Sequence, residues 1–314
     1  MPKIRKKYQL ISKTLTTHQL TQLHEKDVDL ELDNFISREP ESRGTKFFLG
    51  FYSKSGVELA LEKYDVFSDL KKRGFQDPKL EINTTDPFQQ RLCIYNKTKG
   101  RSDLLVEVVL KRKYFTTHTV FPSKINGRSY EFLCVEWLSM QDPRAKFTRE
   151  RPRLPGQEYP GLKAGRFAFE LLSLACKRLR LAGILNIPEY FHNAQIYSKT
   201  FHFLNPEFEG KRRAIERDLL KNISLADISW AIDLHCVKEN DKPFKWFISE
   251  LIMPLDRDIQ EYFSSAEYQD RASGSSKDNK YVLDLERWKN RRFEIPETPP
   301  TSQNFKPHKK IFIF

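Results

Sequence analysis

Several features that would fix a protein's class at sight are missing from this 314-residue sequence. No apolar run approaches the roughly 20 residues that span a bilayer. The longest, 104–110 and 132–138, are each interrupted by a glutamate. The opening MPKIRKKYQLISKTLTTHQL has a basic stretch with no apolar segment behind it, unlike a secretory leader. Four cysteines (Cys93, Cys134, Cys176, Cys236) lie far apart and form no C-x-x-C pair, so buried, reduced thiols in a cytoplasmic protein are expected. The seven histidines make no H-x-x-x-H, and the His235-Cys236 pair has no partners at ligand spacing, so no metal is expected. G-x-S-x-G is absent, as are G-x-x-x-x-G-K-[ST] and a G-x-G-x-x-G between strand and helix. This excludes the usual serine-hydrolase elbow and both standard nucleotide fingerprints.

What is present points to a folded, basic protein. Hydrophobic residues make up 39% and aromatics 13%, with 24 Phe, enough to build a core. Lys and Arg number 54 against 42 Asp and Glu, a net charge of +12. That balance favours anionic partners, whether phosphorylated cofactors, nucleic acid or acidic surfaces.

Residues 1–45 read as a polar, loosely attached arm. The stretch 55–73 (SGVELALEKYDVFSDLKKR) has the broad apolar face of one amphipathic helix, with Gly74 just past its end. Three segments of strand character follow, at 91–96, 103–114 and 130–140, the first two joined by the hairpin-like KTKGRS. A basic loop (141–153) and LPGQEYPGLKAG lead into a helix over 166–182. A short strand at 184–188, a helix over 192–200 and a strand-like 201–204 come next. Beyond Pro206 the pattern is helical at 208–220, 225–237 and 255–269, with 244–253 ambiguous between strand and helix. DRASGSSKDNK (270–280) reads as a flexible loop, and 296–314 as a disordered tail. The fold class is thus α+β, a mostly antiparallel sheet flanked by helices, with a core domain at 46–206 and a mostly helical extension at 207–295.

The strand, glycine-bearing loop and apolar helix at 130–183 form the junction with the most chemistry in it. A helix start exposes N–H groups without intrahelical partners and the positive end of a dipole. Glycines ahead of it let backbone approach a bulky anion, and a pyrophosphate is the natural occupant. Arg149, Arg151, Arg153, Lys163 and Arg166 add longer-range attraction.

The order of elements, with the later H-N-A-Q-I-Y-S-K-T-F-H-F-L-N-P, resembles the GNAT superfamily of acyl-CoA-dependent N-acyltransferases over about residues 50–206. The family's loop is written [RQ]-x-x-G-x-[GA]. Here Gln157 and Gly161 stand one residue further apart, while Arg153-L-P-Gly156 has the first spacing with Glu158 in a small-residue position. Asn193, Ala194, Tyr197 and the turn Phe201-His202-Phe203 approximate its N-x-x-A…Y-x-x-x-G-F.

The resemblance implies that an acyl-CoA, acetyl-CoA or a longer ester, lies in a wedge where 130–140 splays from 184–187. Backbone near Trp137, Leu138, Ser139 and Met140 would pair with pantetheine, and Asn193 would line the cofactor's side. Gln157, Gly161, Leu162, Lys163, Ala164, Gly165 and Arg166 would hold the pyrophosphate. Tyr197 would protonate the leaving thiolate; as a bare sequence feature it equally fits a packed aromatic. An amine of pKa near 10.4 is mostly protonated at pH 7, a penalty of about 4.6 kcal/mol without a base. Glu136 and Glu107 are the candidates, since each interrupts an apolar strand where desolvation raises a carboxyl pKa. His192 and His202 are weaker acid–base candidates. The function expected is N-acyl transfer by direct attack of an unidentified amine. The alternative is a non-catalytic relative that binds nucleic acid or a protein through its basic surface. No feature sets the oligomeric state.

Overall fold

The computed structural model describes residues 2–23 and 45–296, with the side chains of 2–4 left aside. Two helices, α1 (Pro2–Thr14) and α2 (Thr17–Thr21), open the chain. They are not a loose arm. Tyr8, Leu15 and Leu20 are buried in the core, the Tyr8 hydroxyl donates to the Tyr64 carbonyl at 3.2 Å, and Arg178 donates to the Ser12 carbonyl at 2.7 Å. Tyr8, Ile11, Leu15 and Leu20 pack inward while Leu10 stays exposed, a pattern that the average composition of this polar stretch hides. Residues 24–44 of the expected arm lie outside the described residues.

The helix expected over 55–73 is two, α3 (Lys54–Lys63) and α4 (Val66–Lys72). Ser53 caps α3 by accepting from the Gly56 N–H at 3.0 Å. Asp65 breaks the run at φ 61°, a left-handed conformation that Asp tolerates better than most residues.

Four antiparallel strands follow: β1 (Pro78–Asn83), β2 (Gln90–Asn96), β3 (Leu104–Thr116) and β4 (Ser129–Met140). β1 is an addition to the three strands expected. A long irregular connection leads to α5 (Gly165–Arg178), then β5 (Gly183–Asn186), α6 (Phe191–Ile196) and β6 (His202–Phe203). Next come α7 (Pro206–Asp218), α8 (Leu225–Asp233), β7 (Val237–Glu239), β8 (Lys242–Pro243) and β9 (Leu251–Pro254). The last elements are α9 (Arg257–Ser264), α10 (Ala266–Asp278), β10 (Tyr281–Leu283) and α11 (Leu285–Arg291).

The main sheet has the order β1-β2-β3-β4-β5-β9-β6, and β4–β5 is its parallel pair; a small sheet runs β10-β7-β8. One face of the main sheet packs on α1–α5 through Leu92, Ile94, Val108, Leu110, Leu133, Val135 and Phe169. The opposite face is covered over β4, β5 and β9 by α9 and α10, through Cys134, Leu185, Ile252, Ile259, Tyr262 and Tyr268. Over β2 and β3 that second face carries Arg91, Glu107 and Lys111, which alternate with the core residues.

The expected loop at 270–280 is helix as far as Asp278. Ser, Gly and Asp favour a loop locally, but Tyr268 and Ala272, one turn apart, are fully buried. Gly210 lets α7 approach so closely that a β-carbon there would sit 2.5 Å from the Ala272 carbonyl. Tertiary packing outweighs propensity. Of the ambiguous 244–253, only the last residues form strand β9, which joins the main sheet between β5 and β6. Residues 297–314 of the expected tail lie outside the described residues.

Candidate functional site

The sheet parts at one defined place. β4 pairs with β5 over three positions, Leu133↔Ile184, Cys134↔Leu185 and Val135↔Asn186. On its other flank Val109 faces Trp137 and Leu110 faces Val135, so Glu136 is an extra, unmatched residue: a β-bulge. Pairing with β5 stops at that bulge. Beyond it β4 runs on to Met140, while the chain after β5 leaves through Ile187 and Pro188, which has no N–H to offer a ladder. The gap opens into a cleft of about 1960 Å³. Phe169, Ser173 and Lys177 of α5 line it on one face of the sheet, and Arg91, Glu107 and Lys111 on the other.

The loop ahead of α5 docks on the end of β4. Leu162 donates to the Met140 carbonyl at 3.0 Å, Asp142 to the Pro160 carbonyl at 2.9 Å, and Gln141 bridges Gly161. Lys163 then takes a left-handed turn at φ 56°, and α5 starts at Gly165 with Ala164 as N-cap and no side-chain capping bond. Its first turn carries no acid. An uncapped, acid-free helix start beside an open cleft is electrostatically suited to an anion.

Of the expected loop residues, Gln157, Gly161, Lys163, Ala164, Gly165 and Arg166 line the cleft, whereas Leu162 is buried and packs into the core. The strand residues Trp137, Leu138, Ser139 and Met140 line it too, as do Asn193, Tyr197, Glu136 and Glu107. Two of the loop's arginines hold the loop itself. Arg151 donates to the Gly161 carbonyl at 2.6 Å, and Arg153 to the Gln157 carbonyl at 2.8 Å and the Pro296 carbonyl at 3.1 Å. Arg144 stacks 3.7 Å over the Phe75 ring and bonds the carbonyls of Arg73 and Gly74. These guanidiniums are structural, because a long loop without regular structure must satisfy its carbonyls from side chains.

Tyr197 caps the short helix α6 and packs edge-on against Phe169, ring centroids 4.5 Å apart. Its oxygen lies so close to Gly165 that a β-carbon there would overlap it. The phenol therefore stands at the first residue of α5, and burial raises its pKa, which keeps the proton on it. Gly156, at φ 75°, likewise makes room for the Tyr190 ring, 2.7 Å from where a β-carbon would be. Tyr190 stacks on His192, centroids 5.6 Å apart. His192 is 4% exposed, its Nδ1 has no hydrogen-bond partner, and burial lowers its pKa to about 4. His202 is also pushed down by burial.

Neither glutamate is the isolated, desolvated carboxylate the strand pattern suggests. Glu107 pairs with Arg91 at 2.9 Å, and Glu136 pairs with Lys111 and accepts from the Gln89 side chain. The cross-strand neighbours on that face are cations, which the alternation of a single strand does not reveal. Lys111, Arg91, Gln89 and Tyr190 are cleft residues the sequence reading misses. A register between β2, β3 and β4 would have found the first two.

Among the described residues no group of three or more His, Cys, Asp or Glu is arranged to hold a metal, and no helix is long and apolar enough to cross a membrane. The mixed, mostly antiparallel sheet flanked by helices is compatible with a GNAT-like fold. No protein-family model matches the chain, and no curated protein matches it. Among solved structures, one described as AtaTR bound with AcCoA aligns with 49% of this chain and 77% of its own, at 14% identity and a TM-score of 0.24. A likeness that slight carries no argument.

Proposed function

We propose that the protein is an acyl-CoA-dependent N-acyltransferase. The observation that carries this reading is the gap between β4 and β5 that opens at the Glu136 bulge, with the uncapped start of α5 at its side. In this reading the amides that open α5 hold the pyrophosphate, helped by Lys163 and Arg166. The β5-facing edge of 137–140 hydrogen-bonds the pantetheine arm. This lays the thioester at the bulge. A neutral amine approaching from the face that carries Glu107 and Lys111 attacks the acyl carbon directly, the C–S bond breaks, Tyr197 gives its proton to the departing thiolate, and the proton shed by the amine nitrogen restores the phenol through solvent. Burial keeps the phenol protonated at neutral pH and also makes it a weaker acid than an ordinary tyrosine, so the occupied site must favour the transfer to the thiolate.

Thermal shift and calorimetry with acetyl-CoA, longer acyl-CoAs and free CoA test the reading. A ligand at a hundredfold its Kd adds ~2.7 kcal/mol to stability, which a melting curve resolves. Turnover is then followed as free thiol released in the presence of a panel of primary amines. No binding of any CoA species overturns it. One observation favours a second, non-catalytic reading: both candidate bases are ion-paired. Salt-sensitive binding to RNA or DNA, with no response to CoA esters, is the result that would select it.

A further inference from the structure

We propose that Lys111 is itself an acyl acceptor: the protein modifies this lysine with its own bound acyl-CoA. The inference rests on the acyltransferase reading and deepens it by naming a primary alkylamine as the class of acceptor that the site seats. Lys111 faces Cys134 across β3 and β4, and Cys134 faces Leu185 across β4 and β5. That row of three residues is the middle rung of the short β4–β5 pairing, and the bulge at Glu136 lies two residues further along β4. The Lys111 ammonium reaches the bulge and pairs with the Glu136 carboxylate, both side chains being largely shielded, at 30% and 24% exposure. The Gln89 amide holds the same carboxylate from β2's side. An amine and a proton acceptor are thus joined beside the gap, on the face opposite α5.

The neighbouring pairs show why this one differs. Arg91–Glu107 repeats the cross-strand pattern, but a guanidinium stays protonated and is a poor nucleophile. Lys99 pairs with Glu81 further out on the sheet, and its side chain is 72% exposed. Neither puts an amine at the bulge.

The step balances. Lys111 passes one proton to Glu136, its Nζ forms a bond to the acyl carbon, and the C–S bond breaks. The thiolate takes a proton from Tyr197, and the second proton that Nζ sheds as the amide forms returns to the phenolate through solvent, leaving an amide on Lys111, free CoA, a restored Tyr197 and a protonated Glu136. Acylation removes the lysine's charge, so Glu136 loses its ion-pair partner.

The test uses the full chain incubated with acetyl-CoA and no other acceptor. Intact-mass spectrometry, followed by peptide mapping, is expected to find one acetyl group on Lys111, formed at a rate per molecule that does not change with protein concentration. Tyr197→Phe is expected to slow it at least tenfold, and Lys111→Arg to abolish it while acetyl-CoA still binds by calorimetry. Acetyl-CoA that binds without modifying Lys111, or that modifies solvent-exposed lysines such as Lys99 equally well in Tyr197→Phe, overturns this inference and leaves the acyltransferase reading standing. Failure to bind any acyl-CoA overturns both. Mapping of the unaltered protein decides the matter even if Lys111→Arg does not fold.

Discussion

Tyr197 and Gly165 form a contact that neither residue explains alone. The phenol oxygen lies where any side chain at 165 would begin, so the glycine keeps the start of α5 open and fixes the phenol beside it. Gly165→Ala is expected to cost about 1–3 kcal/mol through overpacking and to weaken acyl-CoA binding, seen by urea denaturation and calorimetry. Tyr197→Phe keeps the ring packing on Phe169 and removes only the hydroxyl proposed as proton donor. Turnover should fall by about 10²–10⁴-fold with an unchanged melting temperature, as general acids of this kind contribute. His192 makes a prediction about pH. Burial holds it neutral down to about pH 4, against an ordinary value near 6.5, so the unfolded chain binds the extra proton throughout that window. Stability should therefore fall as pH drops from 6.5 to about 4, by roughly 3 kcal/mol from this residue, and be flat in this respect above 6.5. Denaturation curves at pH 7 and pH 5 check it: His192→Gln should flatten the slope.

At the scale of elements, α1 offers the clearest test of what is attached to what. Tyr8 packs edge-on against Tyr64, centroids 5.0 Å apart, and bonds its carbonyl. Tyr8→Ala should cost about 3 kcal/mol in equilibrium denaturation; a loosely tethered arm would cost nothing. The same helix shows why some elements were legible in the sequence and others were not. β2, β3 and β4 are long, rich in Val, Leu and Phe, and broken by a glycine-bearing loop, so their positions could be read within a residue or two. α1 carries its apolar residues sparsely, and α10 hides two buried side chains among Ser, Gly and Asp; both are held by partners distant in sequence. The candidate site divides in the same way. The glycine-bearing turn into α5 and Tyr197 announce themselves by motif. The Glu136 bulge does not, because one surplus residue in a strand leaves no mark on composition and exists only relative to β3. Nor do the cations facing the glutamates, for the same reason.

For the whole molecule, three clusters of buried side chains share the work. One lies under α1–α5, one under α9 and α10, and one around the small sheet with α8 and α11. The C-terminal third is not an appendage to the rest: β9 pairs with both β5 and β6, and Tyr262 and Tyr268 bond the carbonyls of Leu204 and Phe203 at 2.8 and 2.7 Å. The strand bordering the gap is thus braced from its far side by residues that follow it by more than 60 positions.

Because the cleft is lined from both faces of the sheet, the donor and the acceptor need not share a doorway. In the proposed acyltransferase, spent CoA would leave on the α5 side while the amine waits on the face that carries Glu107 and Lys111, so no ordered queue would be imposed on them. Product-inhibition kinetics should register that separation, with free CoA competing against acyl-CoA and only lowering the ceiling against the amine. A pattern in which free CoA competes with both reactants would mean a single common mouth.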